Sequence, residues 1–199
     1  MKRLAMIGVA GLLALPVQAE DFTGRGWLLV CGEEGCFVNA AGTNLWVPAD
    51  GSAAEASLRE LEPLSAVEVS GDLSDIGDSS ATLALRDVVL IDTPDEGNLR
   101  EIQGRWRPLG EATPFHIEIL GVDWSEMSME EELSRAMMVL GPACASGVEP
   151  GGTAISLYPY GGDPEAIACW QIEYLDDRTL VLRDFMGDQG AVEFERLLD

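Results

Sequence analysis

The sequence is poor in basic residues. Lysine occurs only at Lys2 and histidine only at His116, and 12 lysines and arginines stand against 35 acids, giving a formal net charge of −23. A surface of this charge repels phosphate backbones and anionic lipid headgroups, because their approach adds like-sign repulsion. We therefore expect no nucleic acid partner. Solubility explains the acidity most simply, and attraction of a basic partner is the alternative.

Long apolar runs are scarce as well. The segment L-A-M-I-G-V-A-G-L-L-A-L follows Lys2 and Arg3 and leads to V-Q-A at 17–19. It is shorter than the roughly 20 residues that span a bilayer as a helix, and small residues near 19 suit a signal peptidase. The sequence thus predicts a signal peptide over 1–19, cleaved near Ala19, and a periplasmic or secreted chain without stable membrane insertion.

The chain has only four cysteines, an even number that in an oxidising compartment predicts two disulfides. Cys31 and Cys36 flank the turn G-E-E-G, which places them opposite each other on paired strands, within reach of a disulfide. Zinc would need two further ligands, and a redox pair has closer spacing at a helix start. Cys144 and Cys169 remain as the second pair, since a pairing between the two halves would force separate cores together.

Groups that enzymes use for nucleophilic or metal chemistry are also few. Strand alternation puts His116 on the solvent side, opposite Phe115 and Ile117, and no G-x-S-x-G, phosphate-loop or zinc motif accompanies it. We predict no catalytic residue, no cofactor and no metal centre. Asp72, Asp75 and Asp78 are spaced at every third residue rather than every second, which excludes an EF-hand and leaves a weak calcium site as an open alternative.

What the sequence does contain is a series of short strands. In the first half, strands are predicted at 26–31, 36–39, 44–48, 66–73 and 81–91. A helix interrupts them, since Ser52 and Glu55 have capping-box spacing and Pro63 ends the segment. This order resembles the OB-fold, a five-stranded barrel with a helix between strands three and four. The resemblance implies a binding surface on strands two and three with Phe37 and Trp46 as candidate ligand contacts, and core packing is the alternative for both rings.

The second half begins with Gly104-Arg105-Trp106, followed by alternating strands at 115–120, 153–158, 168–174, 179–185 and 191–197. The G-x-W motif and the meander resemble the small lipocalin-like, or calycin, domains of exported bacterial proteins. That resemblance implies structural roles for Gly104, Trp106 and Arg196, with Arg196 covering the tryptophan ring. A narrow barrel can also fill its interior with side chains.

One helix is expected inside the second half. Ser128 and Glu131 have capping-box spacing, so 128–138 is predicted as a helical insertion with Leu133, Met137 and Met138 facing the barrel. Met137 and Met138 are candidate ligand contacts because methionine adapts to irregular apolar shapes, and core packing is again the alternative.

The predicted organisation is therefore mainly β, with two small antiparallel barrels in tandem. The OB-like barrel covers 20–92, a turn-rich linker T-P-D-E-G-N covers 93–98, and the lipocalin-like barrel covers 99–199. Two functions fit. The first is a non-enzymatic periplasmic binding or accessory protein for a small apolar molecule or an envelope partner. The second is an acidic inhibitor of a basic secreted enzyme of the lysozyme or protease type.

Overall fold

The computed structural model describes residues 20–110, 113–147, 149, 151–160, 167–185 and 190–198. The predicted signal peptide, 1–19, lies outside the described residues. The described chain is mainly β-sheet and forms a closed five-stranded barrel followed by a closed eight-stranded antiparallel barrel. The predicted fold class is confirmed.

The first barrel has five strands and a helix between the third and the fourth. Its elements are β1 (Glu20–Gly32), β2 (Gly35–Ala40), β3 (Thr43–Pro48), α1 (Ala53–Arg59), β4 (Ala66–Ser74) and β5 (Ser80–Leu90). They pair in the order β1-β2-β3-β5-β4, and β4 returns to pair with β1. Neighbours are antiparallel except β3 and β5, which are parallel. The predicted order of three strands, a helix and two strands is confirmed.

The start of α1 follows from its first residues. The Ser52 hydroxyl accepts a hydrogen bond from the Glu55 backbone N–H at 3.1 Å, as a capping box requires. The Glu55 carboxylate reaches one residue further back than expected and accepts from the Gly51 N–H at 3.2 Å. Asp50 accepts from the Ser52 N–H at 2.8 Å, and this bond lowers the pKa of Asp50. The backbone N–H groups of Gly51, Ser52 and Glu55, at the start of the helix, are thus all hydrogen-bonded.

The second barrel has eight strands in an up-and-down order. Its elements are α2 (Asp95–Glu101), β6 (Gly104–Pro108), β7 (Phe115–Leu120), β8 (Asp123–Ser128), β9 (Glu131–Gly141), β10 (Ala154–Pro159), β11 (Ala168–Leu175), β12 (Thr179–Asp184) and β13 (Ala191–Leu197). Each strand pairs with its sequence neighbour, and β13 pairs with β6 to close the barrel. The predicted meander is confirmed. The segment 93–98, predicted as a linker, contains the start of α2.

The helix predicted over 128–138 is wrong, because this segment is a turn followed by strand β9. Met129, with φ of +57°, lies in the turn between β8 and β9. Along β9 the inward residues Ala136, Met138 and Leu140 alternate, as in a strand, whereas Leu133 is exposed. Since β9 pairs with both β8 and β10, the sheet satisfies its backbone on both sides, and this outweighs a local capping signal.

Helix α2 covers one end of the second barrel. Leu99 and Ile102 are buried in the same cluster as Trp106, whose indole Nε1 donates to the Ile102 carbonyl at 2.7 Å. The Gln103 side chain donates to the Gly121 carbonyl at 3.0 Å and accepts from the Gly121 N–H at 2.6 Å. These bonds attach the end of α2 to the turn between β7 and β8. We call this end of the barrel the closed end.

Each barrel has its own hydrophobic core, and the two cores meet at a few residues. Trp27 and Ala66 of the first barrel are buried in a single cluster with residues of α2 and the second barrel. The Ala66 backbone donates to the Glu96 carboxylate of α2 at 3.2 Å. The buried Asn39 amide donates to the Met137 sulfur at 3.1 Å. The barrels are therefore in contact through a small set of residues, while each keeps its own core.

Candidate functional site

A cavity of about 330 Å³ lies inside the second barrel, at the end opposite α2. At this end β6, β8, β10 and β12 finish and β7, β9, β11 and β13 begin, and three of the four connections between them include residues outside the described ranges. The walls are mostly apolar and include a single charged group. The lining consists of four aromatic residues, four other apolar residues and one acid, namely Phe115, Trp124, Trp170, Phe194, Pro108, Ile117, Leu182, Val192 and Glu126.

Strand register explains why these side chains meet. Directly opposite residues in an antiparallel pair point to the same face, and residues two apart on one strand do likewise. Trp124 and Glu126 lie two apart on β8, and Glu126 faces the buried Ile117 on β7. On the opposite wall Leu182 of β12 pairs with Val192 of β13. The cavity is therefore built by the inward positions of strands all around the barrel.

Below the cavity the barrel is filled. Trp106, Ile119, Met138 and Leu180 are almost completely buried between the cavity and the closed end. The expectation that side chains fill a narrow barrel thus describes its lower half, whereas the upper half encloses the cavity. The described residues thus form a cup with a filled floor.

Glu126 is the one charged residue in the lining. Its Oε2 accepts a hydrogen bond from the Ser134 hydroxyl at 2.8 Å, across the β8–β9 pair. Within the described ranges, no arginine borders the cavity and Glu126 takes part in none of the ion pairs. Glu126 is partly exposed, as is its bond to Ser134, and its carboxylate borders apolar side chains without a cationic partner among the residues that the structure describes.

Trp124 carries an unpaired donor. The residue is only 2% exposed, and its indole N–H has no acceptor among the described residues. By contrast, the buried Trp106 N–H is satisfied by a backbone carbonyl. An unsatisfied buried donor costs on the order of 1–3 kcal/mol, so its presence in a cavity wall marks a site that is not optimised for stability alone.

The residues of the G-x-W motif lie at the closed end. Gly104 has φ of +114°, and a Cβ there would come 3.0 Å from an Arg196 nitrogen. The Arg196 guanidinium lies 4.2 Å from the centre of the Trp106 ring, as the lipocalin resemblance implies. It also donates to the backbone carbonyls of Glu101, Gln103 and Asp177. This set fixes the barrel's base and does not touch the cavity.

Phe37 and Trp46 lie on the outer face of the first barrel. They are directly opposite on β2 and β3, their ring centres are 4.7 Å apart, and Phe37 is 45% exposed. The sequence allowed these rings either to lie on a binding surface or to pack in the core, and the structure has them on the surface. Phe37 borders a shallow cavity of about 370 Å³ together with Arg135 and Tyr160. Partial burial and a hydrogen bond to Asp123 raise the pKa of Tyr160.

Met137 and Met138 point to opposite sides of β9. Met138 is fully buried in the barrel below the cavity, and Met137 packs against the first barrel through Asn39. Neither methionine lines the 330 Å³ cavity. Met137 borders an open cleft of about 790 Å³ between the barrels, which is also lined by Trp27, Tyr158 and Asp95.

All four cysteines form disulfides. Cys31 and Cys36 are paired positions on β1 and β2 with their Cα atoms 4.0 Å apart. Cys144 and Cys169 have their Cα atoms 5.8 Å apart and lie in a small cluster with Ala154. Both predicted pairings are confirmed, and the chain has no free cysteine.

The three aspartates of the open calcium alternative lie on β4 and in the turn that follows it. Asp72 accepts from Arg86 at 3.3 Å, Asp75 accepts from the Ser74 hydroxyl at 3.2 Å, and Asp78 is exposed. Within the part of the chain that is described, no three His, Cys, Asp or Glu side chains are grouped to hold a metal ion. His116 lies on β7 with its Nδ1 3.5 Å from the Pro114 carbonyl.

None of the helices in the described ranges has both the length and the apolar character needed to cross a bilayer. Comparison of the chain with models of known protein families, with curated proteins and with solved structures finds no match.

Sequence reasoning missed the cavity residues Trp124, Glu126 and Trp170. The sequence W-S-E at 124–126 has the alternation of a strand, and its first and third residues face inward in β8. The capping-box spacing that follows it predicted a helix instead, so no strand was predicted here. Trp170 lies in a predicted strand, 168–174, but the sequence did not show whether its side chain faces into the barrel or out of it. Only the closure of the barrel shows that these side chains converge.

Proposed function

We propose that the chain is an exported, non-enzymatic binding protein that holds a small apolar molecule in the second barrel. The observation that carries the proposal is the apolar cup of about 330 Å³ above a filled floor. Ligand sites are commonly concave, mostly apolar cavities of roughly 300–1,000 Å³ with a few polar groups, so this cup suits a small ligand.

We further infer that the barrels are of OB-like and lipocalin-like type. The pairing order β1-β2-β3-β5-β4 with a helix after β3 supports the first assignment. The up-and-down order and the stacking of Arg196 on Trp106 support the second. Two disulfides support export to the periplasm or beyond, because such bonds persist in oxidising compartments.

The test is a titration with N-phenyl-1-naphthylamine, a neutral apolar fluorophore whose emission rises in apolar surroundings. The chain without residues 1–19 should bind one probe, and the tryptophan emission should fall as Trp124 and Trp170 transfer energy to it. Val192→Phe adds a ring to the cavity wall and should abolish binding. Val192→Ala enlarges the cavity and should retain binding.

A matched control separates the cavity from the outer aromatic pair. Phe37→Ala removes half of that pair and should leave the titration unchanged, while thermal unfolding monitored by circular dichroism shows whether each variant is folded. Probe binding that survives Val192→Phe but is lost in Phe37→Ala would place the site on the first barrel and overturn the proposal.

The β8–β9 hairpin favours a second candidate function, inhibition of a basic secreted enzyme. Glu130, Glu131 and Glu132 are all exposed at its tip, next to Met129 at 73% and Leu133 at 56% exposure. An acidic tip with apolar side chains complements a cationic cleft. Charge attraction of this kind speeds association and weakens as salt screens it.

A cationic lysozyme serves as the test target. Inhibition predicts tight binding at low salt that falls at high salt and is lost when the three tip glutamates are replaced by glutamine. Absence of binding at every salt concentration removes this enzyme as a target, and unchanged binding by the triple variant excludes the hairpin as the contact.

A further inference from the structure

Among the described residues, the lining of the second-barrel cavity contains four aromatic rings, a single carboxylate and no basic side chain. We propose that its ligand is a small organic cation with apolar substituents, a methylated or quaternary ammonium compound. This inference rests on the proposed function of the cavity as a ligand site and names the ligand class.

The aromatic rings supply the first argument. Phe115, Trp124, Trp170 and Phe194 lie on four different strands, β7, β8, β11 and β13, and so approach the cavity from several sides. The face of an aromatic ring is negative and attracts a cation within about 6 Å of its centre. Several rings around one space form the arrangement that recognises choline-like and methylated ammonium groups.

Glu126 supplies the second argument. Its carboxylate lines the same cavity, is oriented by the Ser134 hydroxyl at 2.8 Å, and pairs with no arginine in the described ranges. Charges attract more strongly in an apolar environment than in water. A bound cation would therefore provide the counter-charge that the described lining does not contain.

The scarcity of acceptors decides between kinds of cation. A primary ammonium has three N–H donors and needs a partner for each, whereas a quaternary ammonium has none. Among the described residues of the lining, the only side chain with an acceptor oxygen is Glu126. A primary amine would leave buried donors unsatisfied, and a trimethylammonium group would not.

Size and long-range charge agree with this class. A cavity of 330 Å³ has room for about ten waters at their liquid volume, which suits a compact ammonium ion rather than a long lipid. The formal net charge of −23 raises the local concentration of cations around the whole protein.

The experiment compares choline with 3,3-dimethyl-1-butanol, which replaces the trimethylammonium group by a neutral tert-butyl group of the same shape. Calorimetric titration of the chain without residues 1–19, at low ionic strength, should show choline binding at least tenfold more tightly than the neutral isostere. Ethanolamine, the primary amine, should bind at least tenfold more weakly than choline.

Variants assign the preference to residues. Glu126→Gln should cut choline affinity at least tenfold and leave the isostere unchanged, while Glu118→Gln, on the exposed outer side of β7, should change neither. Trp170→Leu should reduce choline affinity more than isostere affinity, which gives a second readout if Glu126→Gln folds poorly.

The outcomes separate this inference from the proposed function. Equal affinity for choline and the isostere, or an unchanged ratio in Glu126→Gln, overturns the cation inference while the cavity stays a ligand site. Binding of N-phenyl-1-naphthylamine without any binding of choline does the same. If no probe binds a folded chain, the proposed function fails as well.

Discussion

Replacing Arg196 by methionine tests how the second barrel is closed at its base. Arg196 on β13 is half-buried and donates to the carbonyls of Glu101, Gln103 and Asp177, with its guanidinium 4.2 Å from the centre of the Trp106 ring. These contacts join the last strand to the end of α2, to the residue that precedes β6, and to the β11–β12 turn. Methionine keeps an apolar stem of similar length and removes all of the donors.

The magnitude follows from the contacts. A hydrogen bond contributes about 1 kcal/mol net, and a cation over an aromatic ring about 0.5–1 kcal/mol at a partly exposed site. Three bonds and one ring contact would sum to about 4 kcal/mol, but water can replace part of this around a half-buried side chain. We therefore expect Arg196→Met to lower the free energy of unfolding by about 2–3 kcal/mol.

The assay is guanidinium denaturation followed by tryptophan fluorescence, with stability taken from the midpoint and slope. Arg196→Lys keeps the charge but not the planar fork, so it should lose an intermediate amount. Arg178→Met is the control. The Arg178 side chain is 86% exposed, and its ion pair with the almost equally exposed Asp177 is long, at 4.0 Å. Its effect on the free energy of unfolding should stay within about 0.5 kcal/mol. A loss in Arg196→Met no larger than that of the control would refute this account of the closed end.

Three further predictions concern other parts of the molecule. Replacing Cys31 and Cys36 together by serine should cost about 2.2 kcal/mol in a denaturant titration, since the bond joins residues only five apart and constrains a short loop; an unchanged midpoint would contradict this. Trp27→Ala should cost about 3–5 kcal/mol in the same titration, because Trp27 of the first barrel is buried in the core cluster of the second barrel; a change within about 0.5 kcal/mol would contradict this. Burial raises the pKa of Tyr160 in the folded chain, so its contribution to stability is fully present below pH about 10 and is lost as the pH rises through the folded pKa. Denaturation titrations from pH 9 to about 11 should therefore show a smaller decline in Tyr160→Phe than in the native chain.

The first barrel could be predicted from the sequence because its signals are local. Cys31 and Cys36 around a four-residue turn fix the register of β1 against β2, and the structure pairs these two residues directly. Ser52 marks the start of the helix through a side-chain bond to the residue three positions ahead. The closing of the barrel could not be predicted from these local signals. It depends on the pairing of β1 with β4, two segments that are far apart in the chain.

The errors in the second half have one physical origin. The spacing of Ser128, Glu131 and Leu133 fits a helix as well as a strand, because a short segment satisfies either period. Pairing with strands on both sides decides for the strand, and those partners include β10, which lies beyond the long connection after Gly141. A preference that depends on distant partners cannot be obtained from one window of sequence.

The candidate site was hidden for the same reason. Trp124, Glu126 and Trp170 are ordinary strand residues in the sequence, and each becomes a cavity residue only when eight strands close and their inward faces converge. By contrast, Gly104, Trp106 and Arg196 could be assigned from a resemblance, since their role depends on contacts common to barrels with this motif. The residues at the closed end were therefore easier to predict than those of the cavity.

The two ends of the second barrel are mechanically connected. Strands β6 and β13 carry Trp106 and Arg196 at the closed end, and the same two strands carry Pro108, Val192 and Phe194 into the cavity wall. A closed barrel has no free edge that could absorb a shift of one strand, so a displacement at the base is transmitted along the ladder to the mouth. The bonds from Arg196 to the residues around α2 thus stabilise the fold and also fix the spacing of the rings that would surround a ligand. In the part of the chain that the structure describes, one end of the barrel thus has a carboxylate without a cationic partner and an indole N–H without an acceptor, while the other end is densely packed around Trp106, whose indole N–H is hydrogen-bonded.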